Sequence, residues 1–175
     1  MKKLTLLVIA IIFAISGAFA QKYKVGQVVP ELGGIVIYVD LMGEHGIVCP
    51  DIDQGSFEWG CKEKKISGAD LDGLYKGKKN TKAIIAGCGQ RNIAAQICDD
   101  LVLYGKDDWY LPSKYELNLM YKNLHKKGIG NFDNVSYWSS TESDAHRAYF
   151  QYFIDGRQVH DWKEREKRVR AVRTF

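Results

Sequence analysis

Aromatic and hydrogen-bonding side chains are concentrated near the end of the chain, in residues 147–162. The stretch contains Arg147, Tyr149, Gln151, Arg157, His160 and Trp162. Such residue types are enriched at recognition surfaces, because rigid rings give a large contact area and a guanidinium group suits carboxylate or sulfate. They therefore predict a surface that binds a glycan, a polyanion or a protein. The alternative is that alternate residues of the stretch, including Phe150 and Phe153, belong to the core.

Common catalytic motifs are missing from the sequence. It contains no P-loop, no G-x-S-x-G and no H-E-x-x-H motif, and the four histidines are scattered. Asp107 and Asp108 could hold a cation beside Trp109, but aspartates in turns more often bond backbone amides. We therefore expect no catalytic residue, no cofactor and no metal site, and a binding module rather than an enzyme.

The chain has four cysteines, namely Cys49, Cys61, Cys88 and Cys98. An even number in an exported chain predicts structural disulfides, and the lack of a C-x-x-C pair disfavours a metal site. Three pairings of the four cysteines are possible. The pairing of Cys49 with Cys61 and of Cys88 with Cys98 is favoured, since each bond then closes a short local loop.

Residues 1–20 have the features of a secretory signal peptide. Lys2 and Lys3 precede an apolar run, and Ala18 and Ala20 form a small-residue cleavage site. The alternative is a membrane anchor, but a spanning helix needs about 20 apolar residues and this run is shorter. We expect cleavage after Ala20, no stable membrane insertion, and a secreted, periplasmic or cell-surface protein. An N-terminal extension, residues 21–32, then precedes one domain, residues 33–175.

The chain is mildly basic. Its 25 Lys and Arg residues against 21 Asp and Glu give a formal charge of +4, which loss of Lys2 and Lys3 would lower by two. Basic residues are frequent towards the C-terminus, at Lys163, Arg165, Lys167, Arg168, Arg170 and Arg173. Acidic residues are interleaved with them, so nucleic acid is not an expected partner. For a polyanion, Lys163 and Arg165 would add long-range attraction.

Apolar and β-branched runs predict strands at both ends of the domain. Strands are expected over residues 35–39, 47–49, 137–140, 148–154, 157–162 and 168–175. Asp155-Gly156 is a strong signal for a hairpin between two of these runs, because both central residues of such a turn take a positive φ. Residues 147–162 are thereby predicted to lie on a sheet, where alternate side chains point outward.

Helical patterns occupy the middle of the chain. A capping box at Ser113 and Glu116 precedes an apolar stripe at helical spacing, which predicts a helix with a buried face made of Leu117, Met120, Tyr121 and Leu124. Helices are also expected over residues 81–86, with Asn80 as the N-cap, and over residues 91–103. Strands at both ends with helices between them predict an α+β fold, with two main helices packed on mixed, mostly antiparallel β-sheets.

Several segments resemble, in the same order, motifs of the collagen-like-adhesin (Lcl) C-terminal domain family. The central segment is DWYLPSKYELNLMY at residues 108–121, and the later ones are YWSSTE at 137–142 and RVRAVRTF at 168–175. HGIVCP at residues 45–50 and WGC at residues 59–61 are similar to the N-terminal part of the family. The resemblance extends over about residues 33–175.

The resemblance implies a C-type-lectin-like fold, distantly similar to formylglycine-generating-enzyme-like domains. In it, the motif residues Trp109, Leu111, Pro112, Trp138, Val169 and Val172 would be core or turn residues. The catalytic cysteine pair of those enzymes has no counterpart, and the calcium motifs of true C-type lectins, EPN and WND, are absent. Some relatives bind sulfated glycans, so the resemblance implies a recognition module. An enzyme or enzyme accessory and a structural envelope protein are the alternatives.

Overall fold

The computed structural model describes residues 21–175, which form nine strands and three α-helices. The strands are β1 Val28–Val29, β2 Gly34–Val39, β3 Gly46–Cys49, β4 Gly55–Glu58, β5 Ser136–Glu142, β6 Arg147–Tyr152, β7 Gln158–Trp162, β8 Glu166–Val169 and β9 Arg173–Thr174. The helices are α1 Gly77–Gly87, α2 Ala94–Asp99 and α3 Lys114–Asn123. Short 3-10 turns cover Pro30–Leu32 and His125–Lys127. The predicted signal peptide lies outside the described residues.

The strands form two sheets that are almost wholly antiparallel. One sheet has the order β1-β2-β3-β9, and the other has the order β4-β8-β5-β6-β7. Among the described strands, only β5 and β8 pair in parallel. Because α1 and α3 are the longest helices, the predicted α+β class with two main helices and mixed, mostly antiparallel sheets is confirmed. Within residues 21–175, no helix is long and apolar enough to span a bilayer.

The four-stranded sheet contains the two strands predicted near the start of the domain, β2 and β3, which form an antiparallel hairpin. Its register sets Ile35 opposite Cys49 and Val39 opposite Gly46. The N-terminal extension is folded onto this hairpin, because β1 pairs with β2 and places Val28 opposite Ile35. At the other side, β9 pairs with β3. The extension therefore belongs to the same sheet as the C-terminal strand.

The first two helices differ from their predicted bounds. Asn80 is not the N-cap of α1 but lies buried inside it, where its amide donates to the carbonyl of Leu71 at 2.7 Å. This tertiary partner satisfies the amide and removes its competition with the helical backbone. The helix predicted over residues 91–103 is shorter, because Asn92 takes a left-handed φ of 57° and the helical backbone begins only after it.

The capping box at the start of α3 is confirmed. Ser113 Oγ accepts a hydrogen bond from the Glu116 amide at 3.1 Å, and Glu116 Oε2 accepts one from the Ser113 amide at 2.8 Å. Burial raises the pKa of the Glu116 carboxyl group to about 7. Glu116 Oε2 also accepts a hydrogen bond from the amide of Gly77, the first residue of α1, at 3.2 Å. The box thus ties the starts of the two main helices together.

Tyr121 is half-buried against the core, and the other residues expected in the core are buried. They include Trp109, Leu111, Pro112, Leu117, Met120, Leu124, Trp138, Phe150, Phe153, Val169 and Val172. Two basic side chains are buried with them, Lys163 and Arg170. Lys163 Nζ contacts Glu142 Oε1 at 2.6 Å and lies 4.6 Å from the ring centre of Trp59. Part of the basic C-terminal segment is therefore internal.

The predicted closing strand, residues 168–175, is divided between the two sheets. β8 ends beside β4, and β9 begins beside β3. Arg170 turns inward at the break between them. Its guanidinium group is held by the carboxylate of Asp53 and by the backbone carbonyls of Pro50, Gly130 and Asn131. This buried anchor directs the chain from one sheet to the other.

The disulfide pairing differs from the favoured one. Within the described part of the chain, one bond joins Cys61 to Cys88, and Cys49 and Cys98 are buried free thiols. The favoured pairs, Cys49 with Cys61 and Cys88 with Cys98, are therefore wrong. Cys49 packs in a core cluster with Tyr110, whereas Cys98 packs in another cluster with the disulfide. Cysteines that are close in the sequence are therefore not the ones that the fold places side by side.

We expect thiol labelling of the unreduced protein to find two cysteines after denaturation and none in the native state. Burial raises the pKa of Cys49 to about 12 and also raises the pKa of Cys98, so thiolate is scarce at neutral pH. Mass spectrometry of the alkylated protein gives the count, and peptide mapping should place the label on these two residues. No label after denaturation would mean that a second disulfide is present.

Candidate functional site

The hairpin of β6 and β7 carries four of the predicted ligand-binding residues on one face. β7 is the edge strand of the five-stranded sheet. The register sets Arg147 opposite Trp162 and Tyr149 opposite His160. Directly opposed residues of antiparallel strands point to the same side of the sheet. These four residues therefore lie together, and we call their surface the Tyr149 face.

His160 lies at the centre of the Tyr149 face. Its Nε2 is 3.1 Å from Arg147 Nη1, and its Nδ1 is 3.2 Å from Ser143 Oγ. Because arginine can only donate, Nε2 accepts, which assigns the ring proton to Nδ1. The ring centres of His160 and Tyr149 are 5.8 Å apart. The histidine thus joins the polar and aromatic members of the face.

Trp162 forms the exposed end of this face. Its relative exposure is 46%, and its ring meets that of His146 edge-on with centres 5.9 Å apart. The sequence did not indicate His146, because it precedes β6 and falls outside the alternating pattern. A large apolar ring next to polar groups is thereby presented to solvent.

Helix α3 supplies another residue that the sequence did not indicate. Lys114 Nζ lies 4.5 Å from the ring centre of Tyr149, and the Lys114 carbonyl accepts a hydrogen bond from Gln158 at 2.6 Å. The capping box predicts where α3 begins, but no local pattern shows which strand its first turn meets. The first turn of α3 therefore forms one border of the Tyr149 face.

Gln151 was predicted to contact the ligand, and this prediction is wrong. It lies on the same side of β6 as Tyr149, but it is fully buried against α3. Its amide donates to Asn118 Oδ1 and to the carbonyl of Gly156, both at 3.0 Å. A surface ligand cannot reach this side chain, which instead holds the hairpin turn against the helix.

Arg157 lies apart from the other predicted residues. Its guanidinium group stacks 5.0 Å from the ring centre of Tyr152 and pairs with Asp155 at 2.7 Å. Tyr152 alternates with the residues of the Tyr149 face and points to the other side of the sheet. The turn is also longer than two residues, and Gly156 has a positive φ of 81° whereas Asp155 does not. The expected positive φ at Asp155 is therefore wrong.

Most cations on and around the hairpin are paired with carboxylates. Arg147 contacts Asp144 at 2.8 and 2.7 Å, and this hydrogen bonding lowers the pKa of Asp144 to about 2. Lys114 contacts Asp72 at 3.2 Å. Farther along the chain, ion pairs hold Lys163, Lys167, Arg168, Arg170 and Arg173. The prediction that Lys163 attracts a polyanion over a long distance is therefore wrong, because its ammonium group is buried against the carboxylate of Glu142.

Asp108, one of the two aspartates beside Trp109, is paired with an arginine. Asp108 accepts hydrogen bonds from Arg173 at 2.6 and 3.1 Å, so its carboxylate is already occupied. Across residues 21–175, no group of three or more His, Cys, Asp and Glu side chains is arranged to hold a metal ion.

The chain is an α+β domain whose edge hairpin exposes aromatic and polar residues. The model of the Lcl C-terminal domain family matches residues 55–173, and the chain belongs to this family. The match confirms the resemblance carried by the sequence motifs. It includes all of β6 and β7, so the Tyr149 face lies within the family domain. A comparison with curated proteins gave no match.

A solved structure shares this fold. The crystal structure of a fimbrial protein from Bacteroides ovatus is similar to the chain with a TM-score of 0.51 and 17% sequence identity. The match covers 73% of this chain and 35% of the fimbrial protein, so the chain corresponds to about a third of that protein's length. At this identity the likeness concerns the fold alone.

Proposed function

We propose that the protein is a surface-exposed recognition module of adhesion type whose ligand binds the Tyr149 face. The observation that carries the proposal is Trp162, which is 46% exposed on an edge hairpin beside His160 and Arg147. Tryptophan and arginine are the residue types that contribute most at recognition surfaces. Membership of the Lcl C-terminal domain family and the likeness to a fimbrial protein support a surface role.

A glycan is the ligand that suits this face best. Trp162 and His146 expose rings on which the apolar side of a sugar can stack. Arg147, held in place by Asp144 and His160, keeps further N–H groups that can donate to sugar hydroxyl groups. A polyanion would gain little attraction, because Asp144 already neutralises Arg147 and exposed ion pairs leave a weak field. We therefore propose a neutral or weakly charged glycan.

Replacing Trp162 with alanine is expected to weaken glycan binding at least about ten-fold and to leave the melting temperature nearly unchanged. The indole is half exposed, so its loss removes contact area from the ligand without opening a core cavity. An array identifies the best glycan, and calorimetry with the purified protein measures its affinity. Ile154→Ala is the matched control, because Ile154 is 68% exposed in the turn of the same hairpin.

The salt dependence of binding separates the two ligand classes. Affinity for a neutral glycan should change little between about 50 and 500 mM salt, whereas polyanion binding weakens as salt screens the charges. Binding limited to sulfated glycans and lost at high salt would contradict the neutral-glycan proposal. Unchanged binding by Trp162→Ala would contradict the choice of face, and an array without any ligand would favour a structural envelope role.

We also propose that this protein binds and does not catalyse. The enzymatic alternative rests on formylglycine-generating relatives, whose chemistry depends on a pair of cysteines. In this chain Cys61 is joined to Cys88, while Cys49 and Cys98 are buried in different core clusters. Thiol labelling tests this proposal too, because a reactive cysteine in the native protein would favour the enzyme.

We further propose that the domain has a C-type-lectin-like fold and that the protein is exported from the cytoplasm. The fold is what the family resemblance implies. Export is supported by the disulfide between Cys61 and Cys88, since such bonds persist mainly in oxidising compartments. The predicted signal peptide over residues 1–20 agrees with export.

A further inference from the structure

A small cavity opens between the N-terminal segment and the turn that follows α2. Its volume is about 210 Å³. Val28, Pro30 and Ile35 form aliphatic walls. The other lining residues are Gly33, Gly34, Asp51 and Tyr104. Ile35 is 4% exposed, whereas Val28 and Tyr104 are 65% and 54% exposed. The cavity therefore has a buried apolar wall and a rim open to solvent.

Tyr104 is held in a backbone conformation that tyrosine rarely adopts. Leu103 and Lys106 exchange hydrogen bonds of 2.9 and 3.0 Å, which close a two-residue turn. Tyr104 and Gly105 in this turn have φ of 54° and 70°. Such turns strongly prefer asparagine, aspartate or glycine at the first central position. The turn by itself therefore gives no reason for a tyrosine.

The side chain of Tyr104 contacts a residue outside its own turn. Tyr104 Oη donates a hydrogen bond to Asp51 Oδ1 at 3.0 Å, and this bond raises the pKa of Tyr104 because it favours the neutral phenol. The hydrogen bond joins two residues of the cavity lining that lie in separate segments of the chain. A disfavoured backbone that places a side chain against a cavity is typical of functional sites.

We propose that this cavity binds a small phenol, that is, a single apolar ring with a hydroxyl group. An aliphatic cavity of about 150 Å³ can hold benzene, so one ring fits the available volume. The walls of Val28, Pro30 and Ile35 disfavour a sugar, whose many hydroxyl groups would lose water without gaining partners. A single hydroxyl can donate to Asp51 Oδ2, and Tyr104 offers a ring surface. None of these residues belongs to the Tyr149 face, so the site is independent of the glycan proposal.

Titration of the isotope-labelled protein with p-cresol, followed by NMR, tests this proposal. We expect saturable shifts at the amides of Val28, Ile35 and Tyr104. Toluene lacks the hydroxyl group and should bind about five-fold more weakly, the effect of one hydrogen bond. The anion 4-methylbenzoate should bind more weakly still, because Asp51 repels it. Equal affinity for the three compounds, or no saturable shifts with p-cresol, would overturn the proposal.

Two variants separate binding from folding. Tyr104→Gly removes the ring and relieves the left-handed backbone, so the melting temperature should stay the same or rise while p-cresol binding weakens at least about ten-fold. Tyr75→Gly is the matched control, because Tyr75 also has a left-handed φ, 62°, but does not line the cavity. Full binding of p-cresol by Tyr104→Gly, or an equal loss in both variants, would reject the site.

Discussion

Replacing Arg170 with methionine is expected to lower the free energy of unfolding by about 3–5 kcal/mol. Methionine can fill the space of the arginine stem, but it removes the donor to the carboxylate of Asp53, whose side chain is 11% exposed, and to the carbonyls of Pro50 and Gly130. Arg170 is 1% exposed, so water cannot take its place. Each unsatisfied buried acceptor costs about 1–3 kcal/mol, which places this change among the most damaging in the chain.

Lysine is not expected to rescue this position. The Nε, Nη1 and Nη2 atoms of Arg170 each donate to a different acceptor, and a single ammonium group cannot reproduce that flat fork. The guanidinium group also stacks 4.2 Å from the ring centre of Phe132. Arg170→Lys should therefore be nearly as unstable as Arg170→Met, although the charge is kept.

Chemical denaturation followed by tryptophan fluorescence measures these variants. Arg165→Met is the matched control, because Arg165 is exposed in the same segment and should change stability by no more than about 0.5 kcal/mol. Equal stability of Arg170→Met and the control would show that Arg170 does not anchor the crossing between the sheets. The C-terminal arginines would then return as candidates for binding a polyanion.

Replacing Gly77 with alanine is expected to cost at least about 3 kcal/mol, although alanine normally favours a helix. An added Cβ would collide with Glu116 Oε2 and lie 2.6 Å from the Leu111 carbonyl oxygen and 2.7 Å from the Ser113 nitrogen. Two of these are backbone atoms, which cannot move away by a change of rotamer. The variant must therefore separate the starts of α1 and α3 and weaken the hydrogen bond from Gly77 to Glu116.

Thermal melts check the sign of this effect. Gly89→Ala is the control, because no atom lies within 4 Å of a Cβ at that position and its φ is compatible with alanine. That variant should be neutral or slightly more stable. A Gly77→Ala protein as stable as the control would mean that the close contact between α1 and the capping box does not exist in solution.

Features that depend on neighbouring residues were predictable from the sequence. The capping box of Ser113 and Glu116 involves one helical turn, and it is present as expected. The hairpin around Asp155-Gly156 also forms, and its register brings Tyr149 and His160 together as alternation requires. In both cases the local pattern and the fold favour the same structure.

Features that depend on distant contacts were not predictable in the same way. Short loops favoured joining Cys49 to Cys61, but loop length changes the closure free energy only slowly, and the fold places Cys88 beside Cys61. Alternation along β6 correctly puts Gln151 on the side of Tyr149, yet it does not show that α3 covers this end of the strand. The position of Lys114 above Tyr149 depends on the same packing and has no local signal.

The division of the C-terminal segment between the sheets has a consequence for the order of folding. β8 lies between β4 and β5, and β9 pairs with β3 from the N-terminal hairpin. Since ribosomes make the N-terminus first, neither sheet is complete until synthesis has reached β8 and β9, at residues 166–174. Contacts between such distant segments are typical of domains that fold slowly. We therefore expect one edge of β3 and one edge of β5 to stay unpaired until residues 166–174 have been made, so that both sheets are completed late in synthesis.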